Sequence, residues 1–102
     1  MSNHRLVSVV VPVYRDGRRA IAAIEGLLEQ ALPADINIEI IVVDDGSGDD
    51  TLQLLSSFRH SSLTVMSLPH NRGRAAARNS GAAQASGERV FFMDCDCLPA
   101  NR

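Results

Sequence analysis

The sequence predicts an α/β fold built on a mainly parallel sheet, because two apolar periodicities alternate along its 102 residues. Residues 6–13 form a valine-rich apolar run, which is typical of a strand covered on both faces. Across residues 18–31 the apolar side chains instead recur at helical spacing, with Arg19 on the solvent side and Pro33 ending the helix. This alternation indicates parallel strands connected by helices that pack on both faces of the sheet.

The rest of the chain repeats the same alternation. The later predicted elements are a strand at 38–43, a helix opened by acidic residues at 49 and 50, a strand at 63–68, an alanine-rich helix at 74–85 and a strand at 90–93. The order is therefore β-α-β-α-β-α-β, which is typical of a mainly parallel sheet with right-handed crossovers.

Composition excludes several classes of protein. Lys and Arg total 10 against 12 Asp and Glu, and the net charge of −2 provides no basic field for nucleic acid or an anionic membrane. No apolar run is long enough to span a bilayer. The only cysteines are Cys95 and Cys97, with one residue between them, and we interpret them as small packing residues. Because a secreted disulfide scaffold needs more cysteines at distant positions, a reducing compartment such as the cytoplasm is favoured.

Polar and charged residues follow each predicted strand. Because ligands bind outside the carboxyl ends of strands in open α/β sheets, these residues are expected to converge on one cleft. They are Tyr14 and Asp16 after the first strand, Asp44 and Asp45 after the second, Asn71, Arg72, Gly73 and Arg74 after the third, and Asp94 and Asp96 after the fourth.

The Asp94-Cys95-Asp96 triplet has the oxygen ligands that a hard divalent cation such as Mn²⁺ or Mg²⁺ prefers. A bound cation of this kind would neutralise charge on a departing diphosphate. The alternative is a polar turn after a strand, where aspartate is common.

The loop after the second strand contains Asp44, Asp45 and a Gly-Ser-Gly sequence, but position 51 is Thr, so the six-residue glycine fingerprint of a nicotinamide-dependent dehydrogenase is broken. Carboxylates there suit a base N–H or ribose hydroxyls, and the alternative is an acidic helix N-terminus. Arg74 and Arg78 share a helix face and suit a diphosphate, or form a solvated basic face. Tyr14 is suited to stacking on a flat base, or packs at the edge of the core.

The combination of these motifs, in order, resembles family 2 glycosyltransferases. The segments that carry the resemblance are residues 7–14, 39–47 with 50–51, 71–73 with 76–79 and Gly81, 85–88, and 92–96 with 98–99. The resemblance implies a GT-A fold, whose N-terminal half is a Rossmann-like nucleotide-binding region. It also implies an enzyme that transfers a sugar, usually with inversion, from a nucleotide-diphosphate donor, with a UDP-sugar favoured.

The resemblance also implies roles for particular residues. Asp45 would read the base with Asp44 beside it, and Asp94 and Asp96 would hold the divalent cation and the donor. The remaining implied donor-site residues are Pro12, Val13, Tyr14 and Asp16 in the nucleotide pocket and Asn71, Arg72, Gly73 and Arg78 near the diphosphate and sugar.

Family members are longer, and their general base comes from a later segment. Residues 1–102 are therefore expected to be the N-terminal donor-binding part of the domain, with the base beyond Arg102, the acceptor undefined and the fragment inactive alone. Any contact with the cytoplasmic face of a membrane would depend on other segments. The alternative is a non-catalytic nucleotide-binding module of the same fold.

Overall fold

A computed structural model describes residues 5–94 and confirms the predicted α/β order. The elements are β1 (Arg5–Val13), α1 (Gly17–Leu28), β2 (Ile36–Asp44), α2 (Thr51–Ser57), β3 (Leu63–Ser67), α3 (Arg74–Gln84) and β4 (Arg89–Phe92). Helix α1 ends at Leu28, before the predicted residue 31, because the backbone N–H of Gln30 closes a tighter last turn on Leu27 and Pro33 disfavours helix just ahead of it.

The four strands form one sheet in the order β3-β2-β1-β4, and every pair of neighbours is parallel. β1 pairs with β2 along its whole length, from Arg5 opposite Ile36 to Val13 opposite Asp44. All strands therefore end at the same edge of the sheet, which is where the polar residues were predicted to meet.

Helices cover both faces of the sheet, as predicted. Val9, Val11 and Val13 of β1 face α1 and α2, whereas Val10 faces α3, because side chains alternate along a strand. Val10 and Val11 are fully buried. The burial of both faces of β1 accounts for its nearly continuous apolar sequence.

Helix α3 lies unusually close to the sheet at Gly81. A Cβ atom at this position would stand 2.4 Å from Cγ1 of Val10 and 3.1 Å from Cγ2 of Val43. The missing side chain lets α3 pack directly onto the two central strands of the sheet. Across residues 5–94, no helix has the length and apolar character needed to cross a membrane.

Candidate active site

A cavity of about 350 Å³ opens at the carboxyl edge of the sheet. It lies where the loops after β1, β2 and β3 meet the end of β4. The residues that line it are Pro12, Val13, Tyr14, Asp16, Arg19, Asp45, Asn71, Gly73, Arg74 and Asp94. The structure thus brings together residues that the sequence placed after four separate strands.

Asp45 is the most heavily hydrogen-bonded residue described at the cavity. Its carboxylate accepts bonds of 2.9 Å from the side-chain amide of Asn71 and from the backbone N–H groups of Arg72 and Gly73. Only 3% of Asp45 is exposed. Three donors hold the carboxylate in place and occupy most of its acceptor positions. Asp45 therefore anchors the β3–α3 loop as well as facing the cavity.

The β2–α2 and β3–α3 loops touch through their backbones. Gly46 has a φ of +65°, and a Cβ atom there would lie 2.1 Å from the carbonyl carbon of His70 and 2.4 Å from the backbone nitrogen of Asn71. Only glycine fits both the space and the backbone conformation. This contact brings Asn71 within reach of the Asp45 carboxylate.

Asp44 lies next to Asp45 but does not line the cavity. It is 3% exposed, and its carboxylate accepts hydrogen bonds from both the backbone N–H and the hydroxyl of Ser47. The role predicted for it in base recognition stays a prediction. In the structure its carboxylate shapes the β2–α2 loop.

Asp94 stands between two arginines of α3. The guanidinium groups of Arg74 and Arg78 each lie 3.4 Å from a carboxylate oxygen of Asp94, whose side chain is 19% exposed. Arg78 also packs over the ring of Phe92, with 5.9 Å between the guanidinium carbon and the ring centroid. Arg74 lines the cavity and Arg78 supports Asp94 from behind, while Arg72 contributes its backbone N–H to Asp45.

Arg19 lines the cavity although the sequence assigned it only to the solvent side of α1. Its Nε lies 3.6 Å from a carboxylate oxygen of Asp16, and both side chains are partly exposed. Their spacing of three residues on a helix start was the available signal. The pair places a cation of α1 at the cavity, which Arg74 also lines.

Of the two proposed metal ligands, Asp94 lies in the described part of the chain. Asp96 lies outside the described residues, and within residues 5–94 no group of three His, Cys, Asp or Glu side chains is arranged to hold a metal ion. Of the two proposed ligands, Asp94 offers its carboxylate at the cavity. One or two carboxylates completed by substrate phosphates are a usual Mg²⁺ set, so the residues present fit such an ion.

These features define a polar cleft at the carboxyl edge of a parallel α/β sheet, and comparison with known proteins identifies the family. The family model for glycosyl transferase family 2 matches residues 8–102. The chain belongs to glycosyl transferase family 2, and its fold is that of the GT-A enzymes.

Relatives and solved structures agree with this assignment. Glycosyltransferase GlyG of Streptococcus pneumoniae is 37% identical over 93 residues, which cover 89% of this chain and 30% of that protein. The mannosyltransferase PcManGT from Pyrobaculum calidifontis, solved with GDP-Man and Mn²⁺, is 31% identical with a TM-score of 0.81, covering 95% of this chain and 29% of the other. Residues 1–349 of TarS from S. aureus, solved with UDP-GlcNAc, are 35% identical with a TM-score of 0.74, covering 94% and 27%. The chain thus spans less than a third of each of these proteins.

Proposed function

We propose that the cavity binds the nucleotide-diphosphate part of a sugar donor, for transfer of the sugar to an acceptor hydroxyl with inversion. The observation that carries the proposal is the meeting of Tyr14, Asp45 and Asp94 around one cavity, with Arg74 beside Asp94. A site for such a donor needs an aromatic ring beside the base, a carboxylate that accepts a base N–H, and charged groups at the diphosphate. The similar structures solved with GDP-Man and UDP-GlcNAc support this class of ligand.

The nucleoside is assigned to the side of the cavity formed by Pro12, Val13, Tyr14 and Asp45. Asp45 has one acceptor position on Oδ1 beyond those used by the β3–α3 loop, because Oδ2 accepts two bonds and Oδ1 one. That position suits a base N–H. A UDP-sugar remains the favoured donor, although one solved relative holds a guanine nucleotide.

The diphosphate is assigned to the side formed by Gly73, Arg74 and Asp94. Gly73 precedes α3 with a φ of +101°, and Arg74 is the first residue of the helix. A guanidinium at a helix start attracts a diphosphate through both its charge and its paired donors. Arg78 pairs with Asp94 at this end of the cavity, to which the donor sugar is also assigned.

A divalent cation, Mn²⁺ or Mg²⁺, is assigned to Asp94, with Asp96 as the second proposed ligand. When bound, such an ion stabilises negative charge on the leaving diphosphate. The contacts of Arg74 and Arg78 with Asp94 hold its carboxylate facing the cavity before any ligand arrives.

The general base is assigned to a residue outside this set. The carboxylates of Asp16, Asp45 and Asp94, which line the cavity, each already pair with arginine or loop donors in the described part of the chain. Residues 1–102 are therefore proposed to supply the donor half of the site. On that proposal they bind the donor and do not transfer the sugar by themselves.

Thermal unfolding with and without UDP and MnCl₂ tests the donor site. Saturating UDP with Mn²⁺ is expected to raise the Tm by about 4 °C or more, because a ligand that binds only the folded state stabilises it. Asp94→Ala should remove the Mn²⁺-dependent part of this shift. Asp35→Ala, a change at an exposed residue just before β2, should retain it. A folded protein whose Tm does not respond to Mn²⁺ with UDP would contradict the proposal.

The second candidate is a nucleotide-binding module without catalysis, which the engagement of all three cavity carboxylates favours. Release of UDP from UDP-GlcNAc, measured on the full-length protein that the native reading frame encodes, distinguishes the transferase from the non-catalytic module. Release that depends on Asp94 supports the transferase. Tight UDP binding without any release supports the module.

A further inference from the structure

Arg15, directly after β1, has an unusual backbone conformation. Its φ is +53°, and among the non-glycine residues from 5 to 94 it is alone in having a positive φ. This left-handed conformation is unfavourable for an arginine, and residues held in it are often found at functional sites. Some contact must therefore hold Arg15 there.

Ser47 provides that contact from the β2–α2 loop. The backbone N–H of Arg15 donates to Oγ of Ser47 at 2.7 Å, and its Nε donates to the carbonyl oxygen of Ser47 at 2.9 Å. Ser47 is 1% exposed, and its hydroxyl in turn donates to the carboxylate of Asp44. The β1–α1 loop is thus tied at two points to a buried residue of the neighbouring loop.

The same arginine covers one face of Tyr14. The guanidinium carbon of Arg15 lies 5.2 Å from the centroid of the Tyr14 ring, within the range of a cation–π contact. Tyr14 is still 45% exposed and lines the cavity, whereas Arg15 does not line it. Part of the ring is therefore packed against a cation, and an exposed part borders the cavity.

We propose that Arg15 is a positioning residue that, held by Ser47, fixes Tyr14 as a flat platform for the base of the donor nucleotide. The proposal rests on the donor site assigned above. Arg15 acts through Tyr14 and does not bind phosphate, because its Nε is committed to Ser47 and its planar group lies over the ring. A fixed ring lowers the entropy cost of stacking when the base arrives.

The intrinsic fluorescence of the protein tests the positioning step directly, since the chain has one tyrosine and no tryptophan. Two variants release the ring in different ways. Arg15→Asn keeps a residue that tolerates positive φ but lacks the guanidinium, and Ser47→Ala removes the hydroxyl that accepts the Arg15 N–H. Ser57→Ala is the matched control, because the Ser57 hydroxyl bonds only locally to Leu54. Far-UV circular dichroism establishes that each variant is folded.

Without ligand, both variants are expected to lower tyrosine anisotropy and to raise acrylamide quenching by about twofold, because an unheld exposed side chain rotates within nanoseconds. With Mn²⁺ present, both should weaken UDP binding by about three- to tenfold while leaving pyrophosphate binding unchanged, as expected for loss of a stacking contact. Ser57→Ala should match the unmodified protein in each measurement.

Unchanged Tyr14 anisotropy in folded Arg15→Asn and Ser47→Ala would overturn the positioning role. A more mobile Tyr14 with unaltered UDP affinity, or an equal loss of pyrophosphate affinity, would overturn the platform role. Failure of the unmodified protein to bind UDP would overturn the proposed function, and the platform with it. That outcome is recognisable because it does not depend on the variants.

Discussion

The carboxylate of Asp45 accepts a hydrogen bond of 2.9 Å from the backbone N–H of Gly73, a residue 28 positions further along the chain. This bond joins the end of β2 to the start of α3. The nucleoside and diphosphate sides of the proposed donor site are therefore parts of one hydrogen-bonded unit. Loss of Asp45 should disturb both sides.

Asp45→Ala is expected to destabilise the fold by about 2 kcal/mol or more, because it leaves the backbone N–H groups of Arg72 and Gly73 without their acceptor. The amide of Asn71 would keep only its longer bond of 3.3 Å to the backbone carbonyl oxygen of residue 45. Urea unfolding measures the change. Asp50→Ala is the control, since Asp50 is exposed and its side chain makes no capping bond to α2. Equal stability of the two variants would show that the Asp45 contacts contribute little.

Gly46→Ala and Gly48→Ala form a matched pair. Both glycines have positive φ, of +65° and +72°, but only Gly46 lies against backbone, with nothing within 4 Å of a Cβ at Gly48. Gly48→Ala should cost about 1 kcal/mol, the usual penalty of a left-handed alanine. Gly46→Ala should cost clearly more and weaken UDP binding, because the β3–α3 loop must move. Similar unfolding midpoints for both variants would contradict the close loop contact.

Gly26→Ala and Gly81→Ala are expected to change the free energy of unfolding in opposite directions. Gly26 is an exposed residue in α1 with open space around it, so alanine there should stabilise the protein by about 1 kcal/mol through helix propensity. At Gly81 the added methyl meets Val10 and Val43, and overpacking should cost about 1–3 kcal/mol. Thermal unfolding of the two variants is the measurement, and a Tm increase in both would refute the tight packing of α3.

Glu39 is expected to make stability depend on pH. The hydroxyl of Ser8 donates to its carboxylate, and with the backbone N–H groups of Ser86 and Gly87 it lowers the pKa of Glu39 below the ordinary 4.5. Because the folded-state pKa is the lower one, this stabilisation is complete above the unfolded-state pKa and disappears as pH falls through the folded-state value.

The measurement is the Tm difference between the unmodified protein and Glu39→Gln. It should be largest near neutral pH and shrink as the solution is acidified below about 4.5. Glu25→Gln, at an exposed residue of α1, is the control. A Tm difference that does not vary with pH would show that the Glu39 charge is not involved.

The fold could be predicted from the sequence because the two central strands are runs of Val and Ile. β1 and β2 are buried on both faces, and burial of this kind requires runs of Val and Ile that no surface segment would carry. The parallel order then followed from the helical stretches between strands. The end of α1 was less well predicted, since apolar spacing continues past the last helical turn.

The arrangement inside the site was harder to predict. Neighbouring side chains at a strand end point in opposite directions, so Asp44 bonds to Ser47 while Asp45 faces the cavity. The sequence of two consecutive aspartates does not indicate which of them faces the cavity. The partners of Asp45 lie 26 to 28 residues away and meet it only because two loops touch. The positive φ of Arg15 gives no sequence signal, since glycine or asparagine would be expected there.

The two ends of strand β1 have different roles, since one makes structural hydrogen bonds and the other leads to the cavity. Ser8, toward the amino end, joins Glu39 and the N–H of Gly87, whereas Tyr14 follows the carboxyl end at the cavity. The two positions are about 20 Å apart at the rise of a parallel strand. Substitutions at sites so distant usually contribute additively. Substitutions near Tyr14 that alter ligand specificity should therefore combine additively with stabilising substitutions around Ser8. Ligand specificity and stability could then be engineered separately at the two ends of this strand.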